Sequence, residues 1–165
     1  MPTKAKIKIA DDSELRTKLG AEYERSSQVE LCKFALLLAE HILTLVQYKN
    51  MDDPVIKNGY AINQKWQIGD ARMYDVRQAG LEIHRKAKAC EDMIIQTALR
   101  TVGQAVATGH MREHAMVASD YAIKVVNLLY PANINAVRDE RQWQIECLKS
   151  VKSSLIYNRS RIYGD

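Results

Sequence analysis

Ser27-Gln28-Val29-Glu30 opens the stretch that most constrains this chain. Glu30 stands three residues after Ser27, the capping-box spacing in which each side chain satisfies the other's backbone N–H. The helix this starts runs to about Tyr48. Its interior is apolar nearly all round, with Leu31, Phe34, Leu36, Leu37, Leu38, Ile42, Leu43, Leu45 and Val46. A helix without a polar face has to be surrounded by other elements. Only seven glycines and three prolines punctuate the 165 residues, about half the usual combined share of ~12%. The surrounding shell should therefore be long helices with short connections.

Start and stop signals place those helices. Asp12-Ser13 caps a first helix through about Arg25. Asp53-Pro54 sets an acid before proline at the first helical position; Val55, Ile62 and Trp66 then share a face, and Gly69 stops the helix. Asp70 is expected to cap a helix through Ala89, with Met73, Val76, Gly80, Ile83 and Ala87 inward. A fifth helix spans about Glu91 to Ala107 and breaks at Gly109. A sixth runs from about His110 to Tyr130, where Pro131 ends it. A seventh spans about Ile134 to Ser153, with Trp143, Cys147 and Val151 at i, i+4, i+8. Residues 1–11 alternate lysine with isoleucine (Lys6, Ile7, Lys8, Ile9) and read as an extended arm or edge strand. Residues 154–165 read as a basic, aromatic tail with Tyr157, Arg159, Arg161 and Tyr163. The fold expected is all-α: one domain of six or seven helices over residues 1–165.

Several function classes fall away. No apolar run is long enough to span a membrane, and Met1-Pro2-Thr3-Lys4 lacks the apolar core of a signal peptide, so a cytoplasmic location is expected. Three cysteines, Cys32, Cys90 and Cys147, are far apart and odd in number, which fits free thiols better than a disulfide framework; Cys32 and Cys147 should be buried. The net charge is +4, from 24 basic and 20 acidic side chains. The two signs mix along the chain instead of forming one stripe, so nucleic acid is not the expected partner.

His110-Met111-Arg112-Glu113-His114 is the sharpest chemical string. It reads as H-x-x-E-H, in which two histidines four apart on a helix hold zinc and the glutamate activates water. The pattern needs a third ligand. Asp120, Asp139, Glu140 and Glu146 are available, and none stands at a recognisable spacing. His84, one helix earlier, could join His110 and His114. Paired histidines at a helix junction more often bond backbone or a neighbouring acid, and His41 should be a satisfied core histidine. No Glu has His three residues on, which removes the ferritin-like diiron class. P-loop, dinucleotide and nucleophile-elbow motifs are all missing. No catalytic residue, metal or cofactor is expected.

The segment from Ala98 to Met111 (ALRTVGQAVATGHM), followed by His114-Ala115 and Tyr121-Ala122, resembles a family of small all-helical putative immunity proteins of bacterial polymorphic toxin systems. Pro54, Ala61-Ile62, Trp66 and Gly69, then the helix around His84-Arg85, resemble its earlier motifs in order. The similarity covers about residues 30–145. It implies a non-enzymatic protein that binds and neutralises a cognate toxin, with His84, Gly103, His110 and His114 as shared motif positions of unassigned role. A homo-oligomer is open. Gly109 departs from the pattern, where relatives carry alanine. Nuclease inhibitors tend to be acidic; with a pI near 8.9, a toxin that is not a nuclease, or a locally acidic contact surface, is expected. A histidine-lined metal or small-molecule site, or a basic nucleic-acid adaptor, are the alternatives.

Overall fold

Several helices of the protein start where a side chain takes up their orphan backbone N–H groups; α6 has no such side-chain cap. In the computed structural model, which describes residues 4–162 with side chains through Ser154, Asp12 accepts from Leu15 N (2.9 Å) and opens α1, Ser13–Glu24. Ser27 and Glu30 close the capping box (3.1 and 2.8 Å) that opens α2, Gln28–Leu45. Asp53 caps α3, Pro54–Gln67. Then come α4, Met73–Lys88, α5, Met93–Ala107, capped by Asp92, and α6, His114–Leu129. The last helix is α7, Ile134–Ile162. No strand occurs among the described residues, so the all-α expectation holds with seven helices.

Helix ends follow backbone chemistry as closely as starts do. Gly69 adopts φ +84°, and Asp70 N donates to Lys65 O (2.8 Å) while Gly69 N donates to Trp66 O (3.0 Å). This pair of bonds satisfies the terminal carbonyls of α3, and the left-handed residue is the glycine the geometry favours.

α2 is the centre of the assembly and packs against α3, α5, α6 and α7. Leu31, Leu38 and Ile42 are wholly buried on it. The helix is not apolar all round, however. Lys33, Leu37, Glu40 and Thr44, spaced three or four apart, form a narrow outward seam, and Leu37 is 46% exposed. Leucine fraction alone could not show which leucine fell in that seam.

Four further expectations are corrected. α4 starts at Met73, not after Asp70, because Asp75 takes the Arg72 backbone N–H (3.2 Å) and pairs with its guanidinium. Met73, the first helical residue, is exposed, and Ala79 fills the inward stripe with Val76, Gly80 and Ile83. α6 starts at His114 rather than His110. α7 continues past Ser153 to residue 162, since no glycine or proline interrupts it; the side chains of the aromatic and basic tail lie outside the described residues.

The arm of residues 4–11 forms no strand and bends at Lys6 and Ile7. Its lysines 4, 6 and 8 are exposed and Ala5, Ile7 and Ile9 half-buried, the period of two the sequence carries. The Asn127 side chain stands in for a partner strand: it accepts from Ala10 N (2.8 Å) and donates to Ala10 O (3.0 Å).

The arm leads Asp11 to Arg141, a wholly buried arginine on α7. All five guanidinium N–H groups find acceptors. Two go to Asp11 (3.0 and 2.7 Å), one to Asp120 (2.8 Å), one to Ser119 Oγ (3.3 Å) and one to Gln144 Oε1 (3.0 Å). Arg16 of α1 holds Asp120 bidentately (3.0 and 2.9 Å). His41 is not a core residue. It is partly exposed, lies 2.8 Å from Glu140 and stacks on Trp143 with ring centres 3.7 Å apart.

All three cysteines are free thiols. Cys32 is buried as expected, and burial pushes its thiol up to about 12. Cys147 is only partly buried, with its thiol at about 11 for the same reason.

The contrast between neighbouring leucines gives a test. Leu38→Ala should cost about 2–5 kcal/mol of stability by urea denaturation, because it opens a cavity in the core. Leu37→Ala should cost under about 1 kcal/mol. Equal losses would mean that α2 buries a different face.

Candidate functional site: the histidine cluster of α4, α5 and α6

The motif positions converge because α4 and α5 approach closely. A Cβ at Gly80 would stand 3.2 Å from Gly103 O and 3.3 Å from the Ala107 methyl, so small residues on both helices set the spacing. One turn along, the His84 ring lies flat against Gly103. A Cβ there would fall 2.7 to 2.9 Å from three ring atoms. Gly103 is thus the seat of His84, and the two positions form one contact.

Gln104 then links the histidines. Its Oε1 lies 2.6 Å from His114 Nδ1, which must donate, and its Nε2 donates to His84 Nε2 at 3.4 Å. The proton of neutral His84 is therefore on Nδ1. That atom is buried and has no hydrogen-bond partner among the described residues. Burial, assisted by Arg100 and His114, pulls the His84 pKa down to about 4. His114 is also lowered, by burial first and then by His110 and Lys6, with Glu113 opposing.

His110 and His114 are not on one helix face. Residues 108–113 form successive turns, in which His110 N donates to Ala107 O (2.8 Å) and His114 N to Met111 O (3.1 Å). The H-x-x-E-H string therefore does not have the helical geometry of the zinc protease pattern. The His110 and His114 rings still meet, with centres 5.7 Å apart and planes tilted by 34°. No group of three or more His, Cys, Asp or Glu side chains is placed to hold a metal among the described residues. Asp120 and Glu140, two of the candidate third ligands, are committed to arginine and histidine elsewhere.

Arg112, between the histidines, has an anchoring task that the sequence did not signal. Its Nη2 donates to Tyr23 O (2.8 Å) and Ser26 O (3.2 Å), and its guanidinium lies over the Tyr23 ring at 4.7 Å. The loop before α6 is thereby tied to the end of α1. A mid-motif arginine carries no local mark of a contact 89 residues away.

Residues 21–151, from the middle of α1 through most of α7, match a single family. The chain belongs to the Imm-5 like putative immunity protein family. No curated protein and no solved structure matches it. His84, Gly103, His110 and His114 all fall in the stretch that matches the Imm-5 like family, whereas Asp11 and Arg16, which complete the buried charge network, precede it.

Two measurements check this site. Gly103→Ala should cost about 1–3 kcal/mol by overpacking, and part of that loss should vanish in a His84→Ala background, because both changes act on one contact. Strict additivity would show that the ring does not rest on Gly103.

The second is pH. Unfolded His84 takes up a proton near the ordinary value of ~6.5, but folded His84 does so only at about 4. The unfolded state binds more protons across that interval, so stability should fall as pH drops below ~6.5. His114 adds to the loss in the same direction. The fall between pH 6.5 and 5 should be shallower in His84→Gln, as followed by thermal melting. An identical profile in the variant would assign the acid sensitivity to other groups.

Proposed function

We propose that this protein binds and neutralises a cognate toxin of a bacterial polymorphic toxin system, one to one and without catalysis, in the cytoplasm. Membership of an immunity family over 131 residues supports this reading above all else. Two of the motif residues that could have suggested an enzyme, His84 and His114, are occupied with packing and hydrogen bonding. His84 lies on Gly103, and Gln104 holds His114. Among the described residues no helix is long and apolar enough to cross a membrane, which fits an inhibitor that meets its target in solution.

The outward face of α4 offers a contact surface. Tyr74 and Leu81 are exposed, 59% and 39%, and Arg77, Arg85 and Lys88 flank them on the same side. Arginine and tyrosine are the residue types that dominate binding energy at protein interfaces. The charge of this face fits an acidic protein surface. It is the wrong sign to imitate a nucleic-acid backbone, so a toxin that does not cut nucleic acid is favoured.

Titration of a toxin that co-purifies with this protein tests both parts. Toxin activity should fall linearly and end at one equivalent of protein. Complete loss at a small fraction of an equivalent would mean turnover and would overturn the non-catalytic reading. Leu81→Asp and Arg77→Glu should each weaken binding by at least about tenfold, since interface anchors contribute ~1.4 kcal/mol or more, with unchanged thermal stability. Full affinity in both would move the contact surface off α4.

A further inference from the structure

The pairing of His110 with His114 remains unexplained by packing. Their ring centres are 5.7 Å apart. With metal–nitrogen bonds of ~2.0–2.1 Å, two imidazoles on one tetrahedral ion have ring centres roughly 5 Å apart. The observed spacing is within a small side-chain rotation of that value.

The second feature is orientation. Metal-binding histidines generally donate the other ring N–H to a fixed acceptor, which sets the tautomer and aims the free lone pair. His114 does this: Nδ1 donates to Gln104 Oε1 at 2.6 Å, so Nε2 carries the lone pair. Gln104 is itself fixed, because its amide nitrogen is turned toward His84. His110 is on the turn after α5, is partly exposed, and its ring makes no hydrogen bond among the described residues. It can rotate to meet a shared ion.

We propose that His110 and His114 form a two-histidine site for a divalent transition ion, with Gln104 as its positioning residue. Imidazole suits copper, nickel and zinc, and copper binds most strongly in the general order for such ligands. No third protein ligand is at hand among the described residues. The remaining positions are therefore left to water or to a group from a docked partner, and the site exchanges its ion. This revises the sequence expectation of no metal while keeping its reason, since a closed three-ligand catalytic centre is not what these residues build. The proposal is independent of the toxin-binding reading.

The test uses the full chain without an affinity tag, stripped of metal, titrated with Cu2+ alone at pH 7.5. One equivalent should bind with a micromolar dissociation constant, and the electron paramagnetic spectrum should show coupling to two imidazole nitrogens. His110→Ala should weaken binding by about tenfold or more and leave one coupled nitrogen. This variant is the safer one for folding because the residue is on a turn. Gln104→Ala should cost about 10–100-fold, the usual effect of removing the acceptor behind a ligand. His41→Ala, on the far side of α2, should leave binding unchanged. Undiminished binding by His110→Ala, coupling to fewer than two imidazole nitrogens in the unaltered protein, or no binding below millimolar Cu2+ would each overturn the proposal.

Discussion

The fold depends on a buried arginine. Arg141 is wholly enclosed and keeps all five donors satisfied by groups from the arm, α6 and its own helix. A buried guanidinium with an incomplete shell is strongly unfavourable, and removing one partner of a buried pair typically costs about 3–5 kcal/mol. The geometry therefore permits one register between α7 and α6, and one docking of the N-terminal arm. Arg16 supplies the second positive charge against Asp11 and Asp120. The two carboxylates and two guanidiniums balance, so no net charge is buried. Such a network adds less stability than an apolar core of the same volume would. Its effect here is to fix which arrangement of seven helices closes.

A second constraint is steric and lies at the other side of the molecule. α4 and α5 meet through Gly80, Gly103 and Ala107, close enough that any added methyl would need the neighbour to move. That proximity brings His84 against the α5 backbone and into reach of Gln104, which in turn reaches His114. The histidine cluster is thus a consequence of a glycine contact. The depressed pKa of His84 follows from the same burial. Motif positions that look chemical in the sequence are largely explained by how near two helices come.

How legible this was in the sequence divides by range. Caps are local, and Asp12, Ser27 with Glu30, and Asp53 were readable because one side chain within three residues does the capping. The Gly69 stop was readable for the same reason. The Arg141 network was not, since its partners lie 130 residues away at Asp11 and 21 away at Asp120; no periodicity marks an arginine that will be buried. Leu37 failed differently. A run of leucines shows that α2 is central but not where its neighbours leave a gap. The start of α6 is not legible, because Gly109 announces a break while no Ser, Thr, Asp or Asn between it and His114 announces where the next helix begins. Of the site, the four motif positions were legible through resemblance. Gln104, which connects His84 and His114, stands in the sequence as one polar residue in an alanine-rich string.

The placement of the motif also separates scaffold from recognition. Gly103 and Ala107 are buried; His84 rests on Gly103, and Gly80 meets Gly103 and Ala107. Gly103 and Ala107 set how α4 and α5 pack, and they have no direct view of a partner. On the same helix α4, Tyr74, Arg77, Leu81, Arg85 and Lys88 are exposed. A helix surface repeats every three or four residues, so changes on one face need not disturb the other. An inhibitor scaffold can therefore keep its inward spacing while its outward residues adapt to a different toxin. On the proposed reading, the identity of the partner rests on the exposed residues, which on α4 carry an excess of positive charge around two apolar side chains.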